Sequence, residues 1–178
     1  RPRVWQQRYN QDGQLVKTPL VDGGREGIIN VYVRHTWRRE GGMPLMSATA
    51  VKYAGDDQTF YMRYAQQGEG KEADGWGPFV YDLLMERATE LGFGLAPDPR
   101  SVSRAARAVW DYYLAKRTMG RKADVWTTPR EPRDAFWIGR TDADPDWEPS
   151  QLVFHKKPTI LGKLRAAAPP RFSYEIKH

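Results

Sequence analysis

The residues best suited to hold an anion lie between Gln66 and Leu91. They read Gln66-Gln67-Gly68-Glu69-Gly70-Lys71-Glu72-Ala73-Asp74-Gly75-Trp76-Gly77-Pro78, and an amphipathic run follows. Glycine permits the tight turn. A helix that starts there leaves its first N–H groups unpaired beside the positive end of its dipole. A phosphate or pyrophosphate fits such a place. Glycines also punctuate helix starts that bind nothing, so the turn alone leaves both readings open.

Other chemistry-bearing side chains are sparse. His35 closes a β-branched stretch, where an imidazole titrating near neutral pH suits proton transfer. His155 and His178 stand apart from it and from each other, which argues against a histidine metal site. Asp142, Asp144 and Asp146 are interrupted by Pro145 and lack the closing Glu of a calcium loop. The chain has no cysteine, which excludes disulfides, thiolate catalysis and cysteine zinc sites.

The elements that position these residues follow from periodicity. Ile28-Ile29-Asn30-Val31-Tyr32-Val33-Arg34 reads as a strand, residues 45–53 as a second and residues 59–65 as a third. Short turns between them predict an antiparallel meander. In the third strand Phe60, Met62 and Tyr64 fall on one face. Pro78 suits the first turn of a helix, and Phe79, Leu83, Leu84, Ala88 and Leu91 form its apolar stripe, stopped by Gly92. A short strand is predicted near Phe93-Gly94-Leu95-Ala96-Pro97. Ser101 or Ser103 caps a second helix, whose apolar face carries Ala106, Val109, Trp110, Tyr113 and Leu114. Val125-Trp126-Thr127 and residues 151–156 read as strands, and residues 129–150 as an irregular excursion. Residues 1–26 read as an edge strand or ordered arm, and Ala166-Ala167-Ala168-Pro169-Pro170 as a linker to a short tail.

With 178 residues, one domain spanning 1–165, with the linker and tail at 166–178, accounts for the length. Seven Trp, nine Tyr and six Phe supply a large apolar area. No apolar stretch has the length of a membrane helix. The net charge of +6 and a pI of 9.6 favour anionic partners, yet the basic groups are dispersed and no nucleic-acid motif accompanies them.

Three strands, glycine turn, helix, strand, helix and strands, taken with two local motifs, resemble the GNAT superfamily of N-acetyltransferases. Its signature, Gln/Arg-x-x-Gly-x-Gly/Ala, is approached by Gln67-Gly68-Glu69-Gly70, with Gly75-Trp76-Gly77 against the helix. The run from Ser103 to Tyr113 is similar to the family's Asn/Ser-x-x-Ala-x-x-x-Tyr helix. The wording around Gly77-Pro78-Phe79-Val80-Tyr81-Asp82 and Ala96-Pro97-Asp98-Pro99-Arg100 also resembles a GNAT-like group found in bacteriophage genomes. The chain departs from the family in an insertion, Lys71 to Asp74, and in Trp110, which stands where the family has its acidic Tyr.

The resemblance implies an α/β (α+β) fold, a mixed, mostly antiparallel sheet of about six strands flanked by two main helices. It implies acetyl-CoA, or another acyl-CoA, as cofactor, with Gln67, Gly68, Gly70, Gly75, Trp76 and Gly77 around the pyrophosphate. Transfer to an amine calls for a general base, for which His35, Glu69 and Asp98 are candidates, and Tyr113 or Tyr112 replaces the missing family Tyr. Trp110 is expected to be structural. Two other readings remain open: a non-catalytic virion or interaction protein on the same scaffold, and a DNA-directed modifying enzyme. The host cytoplasm or the virion is the expected location, and the chain ends are expected to contact a protein partner or a second copy. The alternation of Phe172, Tyr174 and Ile176 would let the tail join a neighbouring sheet edge.

Overall fold

The computed structural model describes residues 5–9, 15–19, 25–35, 44–53, 59–71, 74–98, 102–130, 146–166 and 172–177. Two early strands, β1 (Trp5–Tyr9) and β2 (Leu15–Pro19), pair antiparallel as a hairpin of their own. The main sheet holds β3 (Arg25–His35), β4 (Met46–Tyr53), β5 (Thr59–Gln67), β6 (Gly94–Ala96), β7 (Val125–Pro129), β8 (Leu152–Lys156) and β9 (Phe172–Lys177). Their order is β7-β8-β6-β5-β4-β3-β9. Only β5 and β6 run parallel, and every other neighbouring pair is antiparallel. The protein therefore has the mixed, mostly antiparallel α+β architecture expected from the sequence. The predicted meander is β3-β4-β5.

Helix α1 (Gly77–Glu90) crosses from β5 to β6. Pro78 sits in its first turn, where a missing N–H costs no helical bond. Gly92, at φ +86°, ends it: Gly92 N–H donates to Thr89 O and Phe93 N–H to Ala88 O, a Schellman cap. Helix α2 (Arg104–Tyr112) is capped by Ser103, whose Oγ accepts from Ala106 N–H at 3.2 Å, and continues as a π-helical turn over Tyr113–Arg117. A third helix, α3 (Thr159–Ala166), was not foreseen.

The core lies between one face of the sheet and the helices. Ile29, Val31, Ala48, Phe60 and Met62 meet Val80, Leu83, Leu84, Ala88, Trp110, Phe154 and Leu161 there. The α1 stripe differs from the one expected. Leu91 is exposed, whereas Tyr81 and Met85 are buried. Helix α1 is covered by the sheet on one side and by α3 on another, so its buried surface exceeds one stripe. The face shared by Phe60, Met62 and Tyr64 is also interrupted. Thr49 pairs with Tyr64 and Ala50 with Met62, so Arg63 is the extra residue of a β-bulge. Tyr64 emerges exposed.

The tail corrects another expectation. Instead of adding to a neighbouring molecule's sheet, β9 pairs antiparallel with β3 of its own chain, from Asn30↔Lys177 to His35↔Phe172. The strand β3 would otherwise be the sheet edge, and a strand with the alternation of Phe172, Tyr174 and Ile176 satisfies its backbone groups at close range. The linker at 167–170 and most of the 129–150 excursion, residues 131–145, lie outside the described residues.

Candidate functional site

The strands β5 and β6 hold together only at Thr59↔Gly94, Phe60↔Leu95 and Tyr61↔Ala96. Beyond that point β5 continues to Gln67, while the chain leaves β6 at Ala96 and turns through Asp98 toward α2. Two parallel strands that part in this way open a gap in the sheet. A cleft of about 430 Å³ occupies it. Met62, Arg63, Tyr64, Ala65 and Gln67 of β5 form one wall, with Met46 of β4 beside them. Gly77 and Tyr81 contribute from α1. Asp98, Val102, Ser103, Ala106, Val109 and Trp110 close it from the α2 side.

The glycine turn divides into parts with different duties. Gln67 and Gly77 line the cleft, and Gly68, Gly70, Gly75 and Trp76 are not among the lining residues. Gly68 is required by packing, because a Cβ there would stand 2.3 Å from the Pro44 carbonyl oxygen. Gly70 and Gly75 supply positive φ angles of 91° and 82° that turn the chain. The turn is pinned across its base by Gln67 Nε2 donating to Asp74 Oδ1 at 2.7 Å. Trp76 precedes α1 and packs edge-on against the Phe79 ring. No side chain caps the start of α1. A Cβ at Gly77 would meet nothing within 4 Å, so packing does not demand glycine there. The missing side chain leaves the backbone at the positive end of the helix dipole open to a close approach from the cleft.

The bulge has a consequence for charge. It turns Arg63 into the cleft, where Nη1 donates to Asp98 Oδ2 at 3.0 Å. Asp98 is 8 % exposed. Burial raises its pKa above the usual carboxylate value, opposed in part by the hydrogen bond and charge of Arg63. Of the candidate bases, Asp98 is thus the carboxylate set in the cleft. Glu69 is exposed beyond the end of β5 and does not line it. His35 ends β3 at the same end of the sheet as the cleft, since Val33 pairs with Met46 and Met46 with Gln67. It lies two strands from β5, and its side chain falls outside the described residues.

Tyr113, a candidate acid in the sequence, is set in the core behind the cleft. It does not line the cleft, and its hydroxyl donates to Asp82 Oδ1 at 2.6 Å, with the Pro78 carbonyl at 3.2 Å. Burial, then the charge of Asp82, pushes its pKa far above the ordinary phenol value. Tyr112 is half exposed on the outer side of α2. Trp110 is 1 % exposed, as its place on the apolar stripe predicted, and also forms part of the cleft wall. Its ring meets Tyr81 edge-on at 5.5 Å and Phe154 at 4.9 Å.

Tyr81 was missed by the sequence reading. It lies four residues after Gly77, so one face of α1 presents both, and that spacing is the signal that points to it. Burial pushes its phenol up to about 12.

Behind the cleft a chain of charges fixes the helices. Arg117 Nε donates to Asp124 Oδ1 at 2.7 Å, and Arg117 Nη2 lies 3.3 Å from Asp82 Oδ2. Lys156 Nζ donates to Glu86 and lies 3.7 Å from Asp124 Oδ2. Glu86 also accepts from the backbone N–H groups of Ile160 at 3.0 Å and Leu161 at 2.8 Å. Asp82 and Glu86 sit one turn apart on α1, so this chain ties α1 to the π-helical turn, β8 and α3.

A pair of diverging parallel strands, an open helix start and a buried carboxylate can together bind an elongated ligand with an anionic part and accept a proton beside it. No described helix is long and apolar enough to cross a membrane. No family model, curated protein or solved structure matches the chain.

Proposed function

We propose that the protein is an acyl-CoA-dependent N-acyltransferase of GNAT type that modifies an amine. The observation that carries this reading is the cleft opened where β5 and β6 part, with the β-bulge at Arg63 in its wall and the uncapped start of α1 at its rim. The expected mechanism uses these same parts: a pyrophosphate at the glycine turn, a bulged strand that aligns the thioester, and direct attack by the amine. The open position at Gly77 fits the cofactor, because a phosphate oxygen can reach the backbone there without meeting a side chain.

Acyl-CoA supplies an acyl group activated on sulfur. The protein supplies alignment and a proton acceptor. Holding the two reactants in register contributes most of the rate gain. Asp98 takes the proton of the attacking amine, and its raised pKa brings its basicity closer to the working pH than that of an exposed carboxylate. Arg63 orients that carboxylate from the bulge.

A second reading, a non-catalytic interaction protein on the same scaffold, is favoured by Trp110, which has no proton to give where the resembled family has Tyr. One experiment separates the two. Calorimetric titration with acetyl-CoA is expected to give saturable heat, and thiol release is then followed with spermidine, lysine and an α-amino peptide as acceptors. Gly77→Val is expected to keep the melting temperature and to weaken acetyl-CoA by about tenfold, roughly 1.4 kcal/mol. Absence of heat with millimolar acetyl-CoA defeats the cofactor assignment. Binding without thiol release favours the second reading.

A further inference from the structure

The gap between β5 and β6 has a second side. Ile28, Val51, Tyr61 and Ala96 alternate along their strands with the helix-side residues Ile29, Ala50, Phe60 and Leu95, so they form a small core on the sheet face away from the helices. The Arg130 guanidinium lies 5.1 Å over the Tyr61 ring. Arg130 directly follows β7, and its backbone N–H donates to the Gln151 carbonyl at 2.9 Å, which continues the ladder with β8 and aims the side chain. Its Nη1 donates to the Ser150 carbonyl at 3.1 Å. Among the described residues no carboxylate pairs with it. Tyr61 and Ala96 are the last pair before the strands part. Just past them stand Arg63 and Asp98, joined at 3.0 Å. The charge of Arg130 also reaches Asp98 and, after that of Arg63, opposes the effect of burial on its pKa. Two guanidiniums therefore attend one carboxylate at this mouth of the gap.

We infer that the acceptor is an amino acid or another small amine that carries a carboxylate, held by Arg130 while its amine faces Asp98; this rests on the acyltransferase reading above. With the acyl donor entering from the start of α1, the sheet face that bears Arg130 is left to the acceptor. A planar guanidinium presents paired N–H donors that match a carboxylate, and hydrogen bonds between two charged groups are about twice as strong as neutral ones. The Tyr61 ring and the Ser150 carbonyl already fix the guanidinium, so less freedom is lost when the acceptor binds. An incoming carboxylate balances the excess positive charge. A polyamine instead brings further positive charge beside two guanidiniums, which is repulsive. The carboxylate takes no part in bond making. The amine nitrogen bonds to the acyl carbon, the carbon–sulfur bond breaks with its electron pair on sulfur, and the proton shed by nitrogen passes to Asp98 and through water to the thiolate.

The test follows thiol release from acetyl-CoA with acceptors that differ only in the carboxylate: glycine against glycinamide and lysine against lysinamide, with spermidine beside them. In wild type, kcat/KM is expected to be about tenfold or more higher for the carboxylate member, carried by KM, as the loss of a hydrogen bond between charged groups gives. Spermidine is expected to be the poorest acceptor. Arg130→Gln is expected to bring the ratio within about twofold of unity, and Arg130→Lys to leave it intermediate, because an ammonium keeps the charge and loses the planar fork. The ratio is taken within each variant, so a change in folding stability alone does not move it. A second readout needs no turnover: lysine titrated calorimetrically into the CoA-saturated protein is expected to give heat with wild type and none with Arg130→Gln. Equal kcat/KM within each pair, a preference that survives Arg130→Gln, or a wild type that acylates spermidine and neither amino acid overturns this inference and leaves the transferase reading standing. A wild type that fails to bind acetyl-CoA, or binds it and releases thiol with none of these acceptors, overturns both.

Discussion

Asp98 and Tyr113 are both buried polar groups, yet their surroundings give them opposite work. Tyr113 has its hydrogen bond satisfied inside the protein, whereas Asp98 faces a cleft, with Arg63 Nη1 donating to it at 3.0 Å. The raised pKa of Asp98 has a sign that can be tested. A carboxyl whose folded pKa exceeds its unfolded value of about 3.9 binds more protons when folded. Its contribution to stability therefore declines as pH rises through the interval between the two values, and the deficit persists above it. Asp98→Asn removes that deficit. The variant is expected to melt at the same temperature as wild type or higher at pH 8, while transferase kcat/KM drops by about 10²-fold or more and its acid limb disappears. Loss of several degrees in melting temperature would mark Asp98 as a structural anchor and sink the general-base role. At this scale the sequence was legible where spacing decides the outcome, as for Trp110 on the α2 stripe. It was not legible where a distant partner decides. Arg63 lies thirty-five positions before Asp98, and the Asp82 that engages Tyr113 lies thirty-one positions before it.

Among the elements, β3, β4, β5, α1 and α2 were readable because each carries its own signals: alternation, Pro78, Gly92 and the Ser103 cap. Helix α3 has no comparable start. Its first-turn N–H groups are satisfied by Glu86, more than seventy residues earlier on α1, so its capping is tertiary. The bulge at Arg63 was equally hidden, since one extra residue in a strand leaves no mark on composition. The buried pair of Lys156 and Glu86, at 1 % and 0 % side-chain exposure, makes the element scale testable. Removing one member of such a pair strands the other's charge away from water, at a cost of about 3–5 kcal/mol. Lys156→Met is expected to lower stability by that amount in urea denaturation. Adding Glu86→Gln is expected to recover part of the loss, because no unpaired charge remains and the amide oxygen still accepts from α3. A single variant within about 1 kcal/mol of wild type would show that the N–H donors of Ile160 and Leu161 anchor α1 to α3 without the lysine.

For the whole molecule, the sheet separates the proposed chemistry from the end of the described chain. In the order β7-β8-β6-β5-β4-β3-β9 the cleft opens between β5 and β6, and β9 lies three places from β5. The class of the fold was legible, since the meander, crossover helix and later strands appear in sequence order. The position of β9 was not, because its partner β3 is encoded more than a hundred residues earlier and a six-residue alternating strand fits any open edge. Pairing over Asn30 to His35 makes β9 the cover of β3, whose Ile29, Val31 and Val33 are buried in the core. Deleting residues 169–178 therefore uncovers a long, β-branched strand edge of the kind that recruits other chains. The truncated protein is expected to melt several degrees lower, as a loss of 1–2 kcal/mol gives in a domain of this size, and to self-associate in sedimentation velocity. Its monomeric fraction is expected to bind acetyl-CoA within about twofold of the full chain, because the β5–β6 gap and the start of α1 are untouched. A truncated protein that keeps its melting temperature and stays monomeric would mean that β9 adds nothing to the sheet. One that stays folded but loses acetyl-CoA binding would mean that the β3 edge and the cleft are coupled through β4, and the separation of structure from site along the sheet would have to be given up.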